Sequence, residues 1–184
     1  MGLYLVRHGT TEWSLSGRHT STTDLPLLPE GETAAKDLAP RLAGREFTAV
    51  LTSPRLRARR TAELAGFPDA VVDEDLAEWD YGEYEGITTD EIHERDPGWS
   101  IWDGYTPGGE TPGQVAERLD RVVAAARARG GDTLVFAHGH SLRALAARWL
   151  GEPVSAGRNF WLGTATLSVL GEDRGQPVVV HWNS

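Results

Sequence analysis

Histidine follows a short apolar run at two places in the chain, and both histidines have neighbours that suit an anionic ligand. The run Leu3 to Val6 leads into Arg7 and His8, and the run Thr133 to Ala137 leads into His138. Arg7 supplies a fixed cation, and the glycine that follows each histidine lets the backbone approach a bound group. A phosphoryl group fits such a pocket, because its transfer depends on in-line positioning and charge stabilisation. Imidazole, with an ordinary pKa of about 6.5, can attack phosphorus without a separate base.

Two further segments carry groups that phosphoryl chemistry needs. Residues 53–62, SPRLRARRTA, begin a predicted helix directly after a strand and contain four arginines. Helix N-termini attract anions, although spacing alone leaves open which arginine faces the pocket. Residues 76–86, LAEWDYGEYEG, place Glu78, Glu83 and Glu85 among aromatic side chains. One of these three carboxyl groups is expected to be a general acid.

The elements that position these groups alternate between strands and helices. Between the first predicted strand and the first predicted helix, residues 13–29 are rich in Ser, Thr, Gly and Pro, which indicates a long functional loop. Ser53 is the expected N-cap of the second helix, with Pro54 at its first position. We predict strands at 3–6, 47–52, 70–72, 133–137, 164–170 and 177–182, and helices at 31–42, 53–65, 88–95, 111–129 and 142–150. This order predicts a three-layer α/β/α sandwich with a mostly parallel sheet.

Composition limits the possible partners and chemistry. A length of 184 residues with 40% hydrophobic residues predicts one domain that spans residues 1–184. Cysteine is absent, which excludes disulfides, thiolate catalysis and Cys-ligated zinc. The net charge of −9 disfavours nucleic acid and anionic membranes as partners. Without a basic leader or a long apolar run, the chain is expected to be cytoplasmic.

Four sequence blocks occur here in the same order as in the histidine phosphatase superfamily, the phosphoglycerate mutase-like group. The chain resembles that superfamily over nearly its whole length. The blocks are RHG at 7–9, SPRLRARRTA at 53–62, EWDYGEYEG at 78–86 and AHGHSLR at 137–143. The resemblance implies that His8 is the nucleophile and that Glu78, which precedes the pair Tyr81-Gly82, protonates the leaving oxygen. It further implies that Arg7, Arg57 and His138 hold the phosphate oxygens, and that Arg18, Thr20, Tyr81 and Arg143 lie near the substrate.

Longer stretches resemble the branch that contains sedoheptulose bisphosphatase and bacterial acid phosphatases. The chain departs from that branch at Ser21, where glycine is usual, and at Arg60, where glutamine is usual. It also has little room for the insertions that mutases commonly carry after the acidic block. We therefore expect a phosphomonoesterase that hydrolyses a small phosphorylated metabolite, such as a sugar phosphate or bisphosphate, through phosphorylated His8. No metal or other cofactor is expected.

Two other functions stay open at this stage, as do some individual residues and the oligomeric state. A cofactor-dependent phosphoglycerate mutase would transfer the phosphoryl group back instead of releasing it, and an inactive binding module would keep the pocket without turnover. His140 is expected to cap a helix, with the rear of the pocket as the alternative, and His19 is expected at the surface or behind the site, with contact to the ligand as the alternative. None of the tryptophans is assigned to binding, because large aromatic side chains most often serve the core or an interface. A homodimer is left open.

Overall fold

The computed structural model describes all 184 residues and contains a single six-stranded sheet with the strand order β3-β2-β4-β1-β5-β6. The strands are β1 Leu3–Arg7, β2 Ala49–Thr52, β3 Val71–Val72, β4 Thr133–Ala137, β5 Leu167–Asp173 and β6 Gln176–His181. The helices are α1 Glu12–Ser16, α2 Pro29–Lys36, α3 Ala39–Leu42, α4 Leu56–Leu64, α5 Thr89–His93, α6 Pro112–Arg129 and α7 Gly139–Trp149. None of these helices has the length and apolar composition needed to cross a bilayer.

The sheet is mostly parallel, as predicted. Strands β3, β2, β4 and β1 run in the same direction, with Leu5 of β1 opposite Val135 of β4. The last two strands form an antiparallel hairpin, and β5 pairs antiparallel with β1. Strand β4 is buried along its whole length, which accounts for its uninterrupted apolar sequence.

Two hydrophobic cores lie on opposite faces of this sheet. Leu3 and Leu5 of β1 belong to the larger core, which also takes the apolar faces of α6 and α7. Tyr4 and Val6 point to the other face, where they pack with residues of α4 and of the segment around α3. Successive side chains of a strand alternate between faces, so β1 supplies both cores. The predicted three-layer α/β/α sandwich is confirmed.

The chain leaves β1 and β4 on opposite faces of the sheet. The helices α2 and α3, which follow β1, lie on the face of the smaller core, and α7, which follows β4, lies on the face of the larger core. Because β1 and β4 are neighbours, a crevice opens beyond their carboxyl ends. In open α/β sheets this position binds ligands.

The helix predicted at 31–42 is two helices, α2 and α3. Pro40 accounts for the break, because proline lacks the N–H that a continuous helix would need there and its ring crowds the preceding turn. The loop predicted at 13–29 also differs in part. It begins inside the short helix α1, whose N-cap is Thr11 and which ends at Gly17 with a φ of 73°.

Ser53 is not the N-cap of a helix as predicted, because the backbone of Arg55 is extended, with a ψ of 139°, and the helix starts only after it. Helix α4 begins at Leu56, whose backbone N–H donates to Oδ1 of Asp24 at 2.7 Å. The Ser53 hydroxyl group accepts a hydrogen bond from the backbone N–H of Arg55 at 3.3 Å and contacts Nε2 of His138 at 2.7 Å. Helix α7 begins at Gly139, three residues before the predicted start, so His140 lies in its first turn and is not its cap.

Candidate active site

A cavity of about 490 Å³ opens at the carboxyl ends of β1 and β4. This volume is within the range of small-molecule sites, although the lining is far more polar than that of most such sites. Segments from several parts of the chain meet there: the ends of β1 and α1, the loop after α1, the acidic block, the start of α7 and the segment before β5. The cavity is lined by Arg7, His8, Ser14, Gly17, Arg18, His19, Thr20, Glu78, Tyr81, Thr89, Gly139, His140, Arg143, Trp161 and Leu162.

The imidazole of His8 is buried and held in one tautomer. Its Nδ1 lies 2.8 Å from the carbonyl oxygen of Gly9, and since a carbonyl only accepts, Nδ1 carries the proton. The lone pair is therefore on Nε2, which has no hydrogen-bond partner in the protein. Burial lowers the pKa of His8 well below 6.5, and the positive charges of Arg57 and Arg7 lower it further. His8 is a neutral imidazole with a free lone pair at neutral pH.

Arg7 lines the same cavity as His8 and is fixed from both sides. Its Nη1 donates a hydrogen bond to the carbonyl oxygen of Leu162 at 2.5 Å, and its buried Nε has no partner in the protein. On the other side, a Cβ atom at Gly139 would lie 3.3 Å from the guanidinium carbon of Arg7. The guanidinium group thus packs against the first residue of α7 and keeps donors available for an anion.

Arg57 and His138 lie behind His8 and do not line the cavity. The rings of His8 and His138 are 5.2 Å apart between centroids. Nε of Arg57 donates to Nδ1 of His138 at 3.2 Å, so the proton of His138 is on Nε2, which contacts Oγ of Ser53 at 2.7 Å. The pKa of His138 is well below 6.5, because the ring is buried and Arg57 is close.

The remaining donors of Arg57 hold the loop that follows α1. Its Nη1 and Nη2 donate to the carbonyl oxygens of Thr20, Ser21 and Thr23 at 3.0 to 3.1 Å. Ser21 uses its hydroxyl group to donate to the backbone oxygen of Glu78 at 3.3 Å. This bond ties the loop to the acidic block, as do the bonds from the backbone N–H groups of Ser21 and Thr23 to the carboxyl group of Glu85.

The carboxyl group of Glu78 is buried at the N-terminus of α7. Its Oε1 accepts hydrogen bonds from the backbone N–H groups of Trp79 at 2.8 Å and Ser141 at 2.7 Å, and its Oε2 accepts one from His140 at 3.0 Å. The first turn of a helix has N–H groups without intrahelical partners, and Glu78 satisfies two of them. A carboxyl oxygen has two lone pairs, so Oε2 keeps one free and Oε1 keeps none. Neither Glu83 nor Glu85 lines the cavity.

Tyr81, His140 and His19 form an aromatic cluster in the wall of the cavity. The Tyr81 hydroxyl group lies 2.6 Å from Nδ1 of His140, and the rings of His19 and Tyr81 are 4.6 Å apart. Burial raises the pKa of Tyr81 well above 10, and burial lowers the pKa of His140 well below 6.5. The pKa of His19 falls to about 4 through burial. These rings therefore carry no charge at neutral pH.

The outer part of the cavity carries two more arginines and one exposed aromatic residue. Nη1 of Arg18 donates to the carbonyl oxygen of Gly86 at 2.6 Å. The guanidinium group of Arg143 lies 4.6 Å from the ring centre of Trp102 and donates to the carbonyl oxygen of Gly157. Trp161 is 72% exposed. With neutral histidines, the three lining arginines outnumber the single lining carboxylate, so the cavity is positive in an acidic protein.

Seven of the nine site residues predicted from the sequence line this cavity, and the other two, Arg57 and His138, lie behind it. Sequence reasoning left His19 and His140 open as pocket residues, and it did not place the lining side chains of Ser14, Thr89, Trp161 and Leu162 in the site. For His19 and His140 a signal was present, since one lies in the loop next to Arg18 and the other directly follows His138-Gly139. Trp161 had none, because its segment shows no motif. The described chain has no group of three or more histidine, aspartate or glutamate side chains arranged to hold a metal ion.

Gly9 and Gly139 have different roles. A Cβ atom at Gly9 would lie 2.5 Å from the carbonyl oxygen of Gly31 in α2, away from the ligand. The expectation that Gly9 lets the backbone approach a bound group is therefore wrong, because its missing side chain makes room for α2. Gly139 lines the cavity and packs on Arg7, in keeping with the expectation for that glycine.

This fold and polar, arginine-rich site define a phosphoryl-handling enzyme of the α/β class. Residues 3–184 match the family model of the histidine phosphatase superfamily, branch 1. The chain belongs to this family, as its sequence blocks indicated, and it is a phosphoric monoester hydrolase.

Individual relatives agree with this assignment. The chain is 42% identical over 178 residues to an acid phosphatase of Mycobacterium tuberculosis, covering 94% of this chain and 87% of the relative. It is 41% identical over 180 residues to sedoheptulose 1,7-bisphosphatase of Saccharomyces cerevisiae, covering 80% of this chain and 66% of that enzyme. The solved structure of a functionally characterised open reading frame from M. tuberculosis superposes with a TM-score of 0.95 at 39% identity, covering 99% of this chain and 96% of the other.

Proposed function

We propose that the protein hydrolyses the phosphomonoester of a small metabolite in two steps, through a phosphoryl group carried on Nε2 of His8. The observation that carries the proposal is the hydrogen bond from Nδ1 of His8 to the carbonyl oxygen of Gly9, at 2.8 Å. This bond directs the lone pair of a neutral imidazole into a cavity lined by Arg7, Arg18 and Arg143. A phosphate group would find there a nucleophile and cations together.

In the first step, Nε2 of His8 forms a bond to phosphorus while the bond from phosphorus to the ester oxygen breaks. The free Nη2 and Nε donors of Arg7 are placed to neutralise the phosphoryl oxygens, since only Nη1 is committed to Leu162. In the second step, water attacks phosphorus, the P–N bond breaks and His8 regains its lone pair. Inorganic phosphate and the alcohol are the products.

Glu78 is proposed as the acid of the first step and the base of the second. The departing alkoxide is a poor leaving group unless it gains a proton, and Oε2 is the carboxyl oxygen with a lone pair free to carry that proton. The ionised carboxyl group left behind then takes a proton from the attacking water. The three backbone N–H groups that bind Glu78 hold its carboxyl group in place at the N-terminus of α7.

Arg57 and His138 are proposed to act on the phosphoryl group from behind His8. Their mutual hydrogen bond keeps the proton of His138 on Nε2, and the charge of Arg57 helps to keep His8 unprotonated. Arg57 would contact a phosphate oxygen through the second N–H of Nη1, which has no protein partner, whereas Nε2 of His138 would have to exchange Ser53 for the ligand. The remaining predicted residues, Arg18, Thr20, Tyr81 and Arg143, line the part of the cavity into which the rest of the substrate would extend.

The test is a search for the intermediate. Rapid acid-free quenching of a reaction with a ³²P-labelled substrate should trap label on wild-type protein, in a form that acid releases and alkali preserves. His8→Ala should trap none and should retain no more than a few per cent of activity while remaining folded by circular dichroism. Label on another residue, or substantial turnover by His8→Ala, would contradict the mechanism.

The same enzyme distinguishes hydrolysis from mutase activity. Incubation with 3-phosphoglycerate should release inorganic phosphate or leave the substrate unchanged, whereas accumulation of 2-phosphoglycerate would identify a mutase. A strong chelator should leave turnover unchanged, because the arginines supply the positive charge. Loss of activity that a divalent metal restores would contradict this part of the proposal.

A further inference from the structure

Trp161 is an exposed aromatic side chain at the entrance of the cavity. Its side chain is 72% exposed, and it is the only one of the exposed large hydrophobic residues that lines the cavity. By contrast, Trp79, Trp99 and Trp102 are all buried in the larger core. An indole at a site entrance is available to contact whatever enters.

The backbone around Trp161 is held by hydrogen bonds to its carbonyl group and to the next one. The carbonyl oxygen of Trp161 accepts a hydrogen bond from Nε1 of Trp182 at 2.6 Å, and the ring of Trp182 packs on Phe160 with centroids 5.0 Å apart. The next carbonyl, that of Leu162, accepts the hydrogen bond from Arg7 at 2.5 Å. The position of the indole is therefore linked through one residue to the arginine beside the nucleophile.

The lining of the cavity differs between the end that contains His8 and the part that contains Trp161. Its inner end, with Arg7, His8 and Glu78, offers only polar and charged groups, which suit the phosphoryl group. In the proposed mechanism the ester oxygen meets both His8 and Glu78, so the leaving group is left to contact the remaining lining residues, among them Trp161. Arg18 and Arg143 supply donors elsewhere in the same lining, and Trp161 is its only exposed large hydrophobic side chain.

We infer that Trp161 is a specificity-determining residue that stacks on the ring of a cyclic leaving group, so that the enzyme prefers phosphoesters of ring-bearing alcohols to those of short acyclic ones. This inference rests on the proposed phosphatase function. A sugar or similar ring has an apolar face that covers an indole and hydroxyl groups at its edge that reach neighbouring donors. A three-carbon chain has no such face and leaves the indole exposed.

The experiment compares Trp161→Ala, Trp161→Phe and wild type on ring-bearing and acyclic substrates. Glucose 6-phosphate and fructose 1,6-bisphosphate represent the first class, and glycerol 3-phosphate and 3-phosphoglycerate the second. Trp161→Ala should lower kcat/KM for the ring-bearing class about 5- to 10-fold, and for the acyclic class less than about 2-fold. Trp161→Phe should retain most of the preference. The matched control is Tyr105→Ala, which removes an aromatic residue that is 75% exposed but does not line the cavity.

Inhibition by inorganic phosphate separates the two ends of the cavity. Its inhibition constant should be the same in wild type and Trp161→Ala, because phosphate occupies only the inner end. An equal loss for both substrate classes, or no loss for the ring-bearing class, would overturn the inference while leaving the proposed function intact. If the wild-type protein released phosphate from neither class nor from p-nitrophenyl phosphate, the proposed function itself would fail, and the inference with it.

Discussion

Nε of Arg57 donates a hydrogen bond to Nδ1 of His138 over 3.2 Å, immediately behind the imidazole of His8. This bond joins a fully buried cation to a neutral histidine, and it keeps the positive charge of Arg57 close to the nucleophile His8. The remaining donors of Arg57 hold three carbonyl groups of the loop after α1. One side chain thus influences both the protonation of His8 and the shape of the cavity.

Replacing Arg57 by glutamine should move the acid limb of the pH profile to higher pH. The positive charge of Arg57 lowers the pKa of His8, and only neutral His8 can attack, so loss of that charge raises the pKa towards 6.5. The measurement is kcat/KM for p-nitrophenyl phosphate between pH 4 and 8. The variant should also lose about 2–4 kcal/mol in free energy of unfolding, since buried carbonyls lose their donors. Arg59→Gln, at an exposed position of the same helix, is the control, and an unmoved acid limb in Arg57→Gln would contradict the electrostatic role.

Glu78→Gln should slow substrates with poor leaving groups far more than p-nitrophenyl phosphate, because nitrophenolate departs without a proton. A fall in kcat of about 100-fold or more is expected for alkyl phosphates. The amide would also turn an N–H group towards the backbone donors at the start of α7, which should cost about 1–3 kcal/mol in stability. The control is Glu83→Gln, since Glu83 is exposed outside the cavity. Equal losses on both substrate types would remove Glu78 as the acid.

His19 should make the protein less stable as the pH falls from 6.5 to about 4. Burial lowers its pKa to about 4 in the folded protein from 6.5. The unfolded chain therefore binds the proton more readily in that interval, and stability is lost as the pH decreases, by about 2–4 kcal/mol from this residue. Urea denaturation at several pH values checks this. His19→Gln should flatten the dependence, whereas His181→Gln, at an exposed position, should not change it. A slope that is identical in His19→Gln would assign the acid sensitivity to other groups.

Much of the fold and of the site could be predicted because the relevant information is local. The buried strands β1 and β4 appear as apolar runs, and the residues at their ends meet because parallel neighbours place their carboxyl ends together. The position of Arg57 behind His8 could not be predicted, since it depends on carbonyl groups in a loop about 35 residues earlier in the chain. Trp161 was missed for the same reason, because only the fold brings its segment to Arg7.

The two glycines that follow Arg7-His8 and His138 provide the sharpest test of this difference, since the local sequence makes them look equivalent. Gly9→Ala should destabilise the protein by about 1–3 kcal/mol, because its Cβ would lie 2.5 Å from the carbonyl oxygen of Gly31 and α2 would have to move. Gly139→Ala should keep or raise stability, because alanine suits the first turn of α7 better than glycine does.

The activity of Gly139→Ala should nevertheless fall, because the new methyl group at 3.3 Å presses on the guanidinium carbon of Arg7. We expect a loss in kcat/KM of about 3- to 10-fold, since small displacements of a positioning group are costly in phosphoryl transfer. Thermal unfolding and steady-state kinetics on the two variants check both halves of the prediction. If Gly139→Ala lost stability while keeping its activity, the packing of α7 against Arg7 would have no part in catalysis.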